Sequence, residues 1–135
     1  HWTRTLAYTP DGSDFYVVVG SRDNESVESA PRAMIQIFEE GSGAAWTFAS
    51  GQRNAVGLAL HLESGELYTV VNERSGYGDD LVPDYFTRVR QDDFYGWPYA
   101  YSVTNPSPDY GDRALELVAQ SLEPDVIWRI AYEGP

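Results

Sequence analysis

The chain is 135 residues long, 42% hydrophobic and 14% aromatic, which suits one ordinary domain with a core and excludes a disordered segment. Its net charge of −12, with nine arginines and no lysine, excludes nucleic acid as a partner, because phosphate binding needs a basic surface. The absence of cysteine excludes disulfides, thiolate nucleophiles and cysteine-based zinc sites, and no apolar run approaches the roughly 20 residues of a membrane helix.

In chain order, Leu6 to Gly20 reads as a hairpin: a short strand, a turn at Gly12, and a second strand opening at Tyr16. Ser21 to Pro31 is polar and acidic with no periodicity, so it reads as a loop whose segment Asp23–Glu28 is a solvated surface. Arg32 to Glu40 alternates apolar and polar residues as a half-buried strand does, residues 41–43 form a turn, and Ala45 to Gly51 returns. Four strands therefore fill residues 1–51. Leu58 to Asn72 repeats the first hairpin, with a turn at Gly65 and a second strand at Tyr68. Aligning Gly12 with Gly65 gives a spacing near 50 residues, which suits a β-propeller blade, although two unrelated hairpins of a β-sandwich would look similar. A further strand is expected near Tyr85–Arg90, followed by a packed turn at Tyr95–Pro98. Residues 105–112 form a Pro-rich loop, Arg113 to Leu122 suits a short helix or an irregular packed segment, and the tail beyond has no assignment. These boundaries predict blades at 1–51 and 52–104, with 105–135 as loop and incomplete blade or divergent tail.

Several stretches in order, "HWTR", "DGSDFYVVVGS", "ASGQRNAVGLALHLESGELYTVVNER", "GDDLVPDYFTRV" and "FYGWPYAY", resemble the PQQ-dependent soluble sugar dehydrogenases, on the L-sorbosone and aldose dehydrogenase side. The resemblance runs from His1 to about Asp125. It implies an all-β fold, with about two to three four-stranded antiparallel blades of a six-bladed propeller. It also implies a fragment of that family, since the sequence opens on His1 rather than Met and is short for six blades. The implied activity is hydride transfer from a sugar hydroxyl to the quinone PQQ, with calcium as Lewis acid. His1 matches the family's catalytic base, and Arg53 and Asn54 match its cofactor-binding pair. By position Arg74 is a further cofactor contact, and Ser75 and Gly76 offer backbone carbonyls to calcium, with Asp79 and Asp80 in support. The chain departs from the pattern at Gly20-Ser21, where a carboxylate often supports the base, and at Val56, where the glucose dehydrogenase type carries a glutamine. The resemblance implies a periplasmic or secreted bacterial protein. An arc of blades would expose apolar faces, so the isolated chain is expected to be inactive and to self-associate through them.

Two other readings stand beside it. One is a propeller module that binds no cofactor. The other is a copper site at an N-terminal histidine, which needs a second histidine, and only His61 exists.

Overall fold

The computed structural model describes residues 1–2 and 4–128; the end of the unassigned tail, 129–135, lies outside the described residues. The first sheet is built from β1 (Leu6–Tyr8), β2 (Asp14–Val19), β3 (Met34–Glu39) and β4 (Ala45–Ser50), each antiparallel to the next and in sequence order across the sheet. The alternation read in the sequence sets its faces. Tyr16, Val18, Ile35, Ile37 and Ala49 share one face, and Leu6, Tyr8, Phe15, Val17, Val19 and Phe38 share the other. The β1–β2 turn closes on side chains: Thr9 Oγ1 donates to Asp11 Oδ1 at 2.7 Å, and the Ser13 amide donates to the same oxygen at 3.1 Å.

The second sheet contains β5 (Ala55–Leu60), β6 (Leu67–Val71) and β7 (Tyr85–Val89), again antiparallel neighbours. Its fourth strand, β10 (Val126–Ile127), comes from the tail, where Val126 pairs with Phe86 and Ile127 with Tyr85. The chain reaches β10 through residues 90–125. These carry the short hairpin β8 (Ala100–Tyr101) and β9 (Asn105–Pro106), a 3₁₀ turn at Gly111–Arg113 and helix α1 (Leu115–Gln120). The all-β architecture and four-stranded antiparallel sheets agree with the expectation, and the tail, unassigned in the sequence, completes the second sheet.

One apolar cluster joins the two sheets. Val18, Ile35 and Ala49 of the first meet Ala55, Leu67, Val71, Tyr85 and Val89 of the second, with Tyr95 closing the side. The two inner strands also touch directly, as Thr5 Oγ1 donates to the Val56 carbonyl at 3.0 Å. On the outer side, residues 92–97 run beside the end of β4: the Ser50 amide donates to the Asp93 carbonyl at 2.9 Å, and the Tyr95 amide to the Ser50 carbonyl at 3.1 Å. The chain turns away there at Gly51, whose φ of +74° is a conformation that side chains with a Cβ disfavour. A Cβ on Gly51 would lie 2.6 Å from the Phe94 ring and 2.7 Å from the Gly96 amide nitrogen. We expect Gly51→Ala to lower the unfolding free energy by about 2 kcal/mol, through backbone strain and the forced shift of Phe94. Urea unfolding followed by tryptophan fluorescence measures it, and a wild-type midpoint would show that the 92–97 segment does not pack there in solution.

Candidate functional site

Three chain segments meet at one end of the sheet stack. The Ser21 amide, just beyond β2, donates to the Arg53 carbonyl at 2.7 Å, and the Asn72 amide, just beyond β6, donates to the Asn54 carbonyl at 2.9 Å. A hairpin returns the chain to the end from which it left, so the start of β5 and the end of β6 share this mouth. Arg53 and Asn54 at one end of the hairpin and Glu73 and Arg74 at the other are therefore neighbours.

Arg53 is only 8% exposed. Its Nη1 donates to the carbonyls of Asn72 at 3.2 Å and Glu73 at 2.8 Å, while its Nε has no protein partner. Burial lowers its pKa, and Glu73 and Asp84 oppose that shift. Beside it, Gln52 is 1% exposed with neither amide atom partnered, and the buried Asn54 Oδ1 is likewise unpartnered. Buried polar atoms without partners are rare, and here three consecutive residues carry them. Gly20 permits the crowding: a Cβ there would lie 2.3 Å from Asn54 Oδ1 and 3.0 Å from the His1 Cβ. His1 thus stands next to Asn54 across Gly20, held by its terminal amine, which donates to the Ser21 carbonyl at 3.0 Å.

Arg74 is 5% exposed and heavily engaged. It pairs with Glu25, lies 3.4 Å from Asp109 Oδ2, and stacks over the Tyr77 ring at 3.5 Å, with Tyr77 also accepting from its Nη1. Ser75 is gripped by one amide side chain. Asn24 Nδ2 donates to the Ser75 carbonyl at 2.8 Å, and the Ser75 amide donates to Asn24 Oδ1 at 3.1 Å. Gly76, exposed and at φ +103°, continues this loop, and Asp79 and Asp80 lie exposed further along it.

The loop 21–31 is therefore not a free surface. It lies across the mouth, placing Glu25 on Arg74 and Asn24 on Ser75, and Trp97 Nε1 anchors it by donating to the Asn24 carbonyl at 3.2 Å. Reading it as solvated missed this, because the contacts join residues some fifty or more positions apart, which leave no local pattern. Gln52, Glu73 and Asp84 were also missed. Asp84 accepts from Asn72 Nδ2 at 2.9 Å and from the Glu73 amide at 2.8 Å, and so fixes the turn out of β6.

The Glu73 carboxyl accepts from the Arg74 amide at 3.1 Å. It borders a small, partly open pocket with Tyr85, Tyr95, Tyr101, Ser102 and Pro124. The hydroxyls of Tyr85 and Ser102 on this pocket have no protein partner. Burial pushes the Glu73 carboxyl up to about 7, against the opposing pull of the Arg74 amide and the Arg53 cation.

His61, by contrast, sits exposed in the β5–β6 turn, accepting from the Ser64 amide at 3.3 Å. The length of β5, roughly 20 Å for six residues, separates it from the mouth and from His1, so the two histidines share no copper site. Among the described residues no group of three or more acidic, His or Cys side chains is placed to hold a metal.

No protein-family model matches the chain. An uncharacterised protein of Borreliella burgdorferi is 24% identical over 115 residues, covering 84% of this chain and 30% of its own length. The calcium structure of a Trichoderma reesei carbohydrate-active enzyme of family AA12 matches 96% of this chain and 44% of its own, at 16% identity and a TM-score of 0.79. The holo form of the pyranose dehydrogenase PQQ domain from Coprinopsis cinerea matches 94% and 42%, at 19% identity and 0.75. The soluble aldose sugar dehydrogenase of Escherichia coli, in its apo form, matches 93% and 39%, at 18% identity and 0.67. The chain has the propeller-type fold of the PQQ-dependent sugar dehydrogenases. It spans about two fifths of these solved structures and under a third of the curated relative. Within this sugar dehydrogenase fold, His1, Arg53, Asn54, Arg74 and Ser75 come together at one mouth.

Glu73 gives this mouth a pH signature. The folded chain holds the Glu73 proton more tightly than the unfolded chain, where the pKa is near 4.5. The stability from this group is therefore complete below about pH 4.5 and is lost as pH rises to about 7, by up to about 3 kcal/mol. Glu73→Gln should flatten the difference in unfolding free energy between those limits. A variant that keeps the wild-type slope would place the carboxyl in solvent.

Proposed function

We propose that this mouth binds the quinone cofactor PQQ with calcium and contributes to oxidation of a sugar, as an aldose- or sorbosone-like dehydrogenase. The observation that carries the reading is the run Gln52–Asn54, buried at the mouth with unpartnered polar atoms beside a buried guanidinium. When bound, PQQ supplies the hydride acceptor and calcium the Lewis acid. PQQ carries three carboxylates, and a planar guanidinium grips two oxygens at once. In this reading Arg53 and Asn54 hold the cofactor. Arg74 joins them by exchanging Glu25 or Asp109 for a cofactor carboxylate. The Ser75 and Gly76 carbonyls would hold calcium, the Ser75 carbonyl beside or in place of its bond from Asn24, in a loop whose glycines suit irregular coordination. His1 takes the proton from the sugar hydroxyl onto its imidazole, whose usual pKa near 6.5 fits a base at neutral pH.

The mouth presents two buried cations, and one is already countered by two carboxylates. That leaves little positive charge for a tricarboxylate, so we expect these 135 residues alone to bind PQQ weakly and to turn over no sugar. The same pairing of Arg74 favours a second reading, a propeller module without cofactor. No helix among the described residues is long and apolar enough to cross a membrane. The likeness to soluble sugar dehydrogenases supports a periplasmic or secreted setting.

The test is titration with PQQ in excess calcium, followed by absorbance and by melting temperature. Arg53→Ala should weaken binding by about 1.5–3 kcal/mol, the worth of a hydrogen bond to a charged group. Ser75→Ala should leave binding unchanged, since only its backbone is engaged. No binding by the wild type supports the second reading, and equal losses in both variants would overturn the calcium loop.

A further inference from the structure

The loop 21–31 is closed on itself and attached to the mouth by polar contacts. Glu28 Oε1 accepts from the Arg22 amide at 2.7 Å, from Ser26 Oγ at 2.7 Å and from the Asp23 amide at 3.4 Å, so one carboxylate gathers residues 22–28 into a unit. Between Ser21 and Ser29 the one apolar residue is Val27, and it is 58% exposed. Hydrophobic burial therefore adds little to the loop's hold on the mouth. That hold consists of Glu25 on Arg74, the two bonds between Asn24 and Ser75, and the bond from Trp97 Nε1. The two ends are fixed separately: the Ser21 amide is tied to the Arg53 carbonyl, and the Ala33 carbonyl accepts from the Gln52 amide at 3.3 Å. The unit between them can swing without disturbing either sheet.

We propose that residues 22–28 are a strap that fills the anion position of the mouth, with the Glu25 carboxylate standing where a ligand carboxylate sits on Arg74. The chemistry of the contact is that of a ligand: a carboxylate on a buried guanidinium, whose Nε still lacks a partner. A polycarboxylate binds as the strap lifts. Apparent affinity is then reduced by the fraction of chains whose strap is up, and whatever frees the strap raises affinity by the same factor that binding frees it. Asp109 comes from a different segment and stays beside Arg74 at 3.4 Å when the strap is away, so the buried cation is never left without a counter-charge. The proposal rests on the reading of Arg74 as an anion contact and adds to it what controls access.

The test uses the whole chain and titrates citrate, a tricarboxylate, at constant ionic strength without calcium. Glu25→Gln should bind citrate about tenfold more tightly than the wild type, the worth of one hydrogen bond to a charged group. Asp23→Asn removes the same charge from the same loop at a side chain 54% exposed, and should bind as the wild type does. Saturating citrate should speed exchange of the wild-type Ser75 amide, which owes its protection to Asn24 Oδ1. If Glu25→Gln does not fold by circular dichroism, Asn24→Ala, which cuts both bonds to Ser75, takes its place with the same expectation. Equal affinity in the wild type and the strap variant, a gain shared by Asp23→Asn, no citrate binding by any chain, or a Ser75 amide still protected in the citrate complex overturns the strap. PQQ with calcium that binds no more tightly than citrate overturns the quinone reading instead and leaves the strap standing.

Discussion

Burial of one guanidinium organises the mouth. Arg53 cannot shed its charge, so its place between the sheets demands acceptors, and the carbonyls of Asn72 and Glu73 supply them. Those carbonyls belong to the chain leaving β6, which fixes where Glu73, Arg74 and the following loop begin. The backbone of the same two residues, Arg53 and Asn54, accepts the amides of Ser21 and Asn72 and so ties in the exit from β2. Three segments far apart in sequence converge because one buried cation and its neighbour leave them no alternative partners.

The surroundings are acidic in proportion. Glu73 and Asp84 lie close enough to oppose the lowering of the Arg53 pKa by burial, and Glu25 and Asp109 flank Arg74. A mouth so arranged is close to self-neutralised, which is compatible with a protein of net charge −12 folding around two buried arginines. On the proposed reading, an anionic ligand enters by exchange: its carboxylates replace protein carboxylates on Arg74 and occupy the free Nε and amide positions at Gln52–Asn54. Affinity then depends on displacing the loop 21–31 as much as on the arginines themselves.

Much of the fold was legible in the sequence. The alternation in Leu6–Gly20 and Leu58–Asn72 identifies both hairpins, and the glycines mark their turns. The return of a hairpin to its starting end places Arg53 and Arg74 at the same end of the sheet. β10 was not legible, because two residues are too few for a period to emerge and its pairing with β7 spans the whole 90–125 excursion. The contacts of Asn24 and Glu25 were hidden for a related reason: a polar loop shows no pattern until a partner far along the chain gives it one. Glu73 was visible beside Arg74, but the burial that raises its pKa depends on Tyr85 and the β8–β9 hairpin folding over it.

The central claim is that Arg53 and Asn54 bind the ends of β2 and β6 into one preformed site. Amide hydrogen exchange of Ser21 and Asn72 tests it most directly, since both amides lie just outside strands and owe their protection to the carbonyls of Arg53 and Asn54. Both should exchange as slowly as Val71 in the core of β6, with or without PQQ and calcium. Exchange of either amide at the rate of an open loop would contradict it.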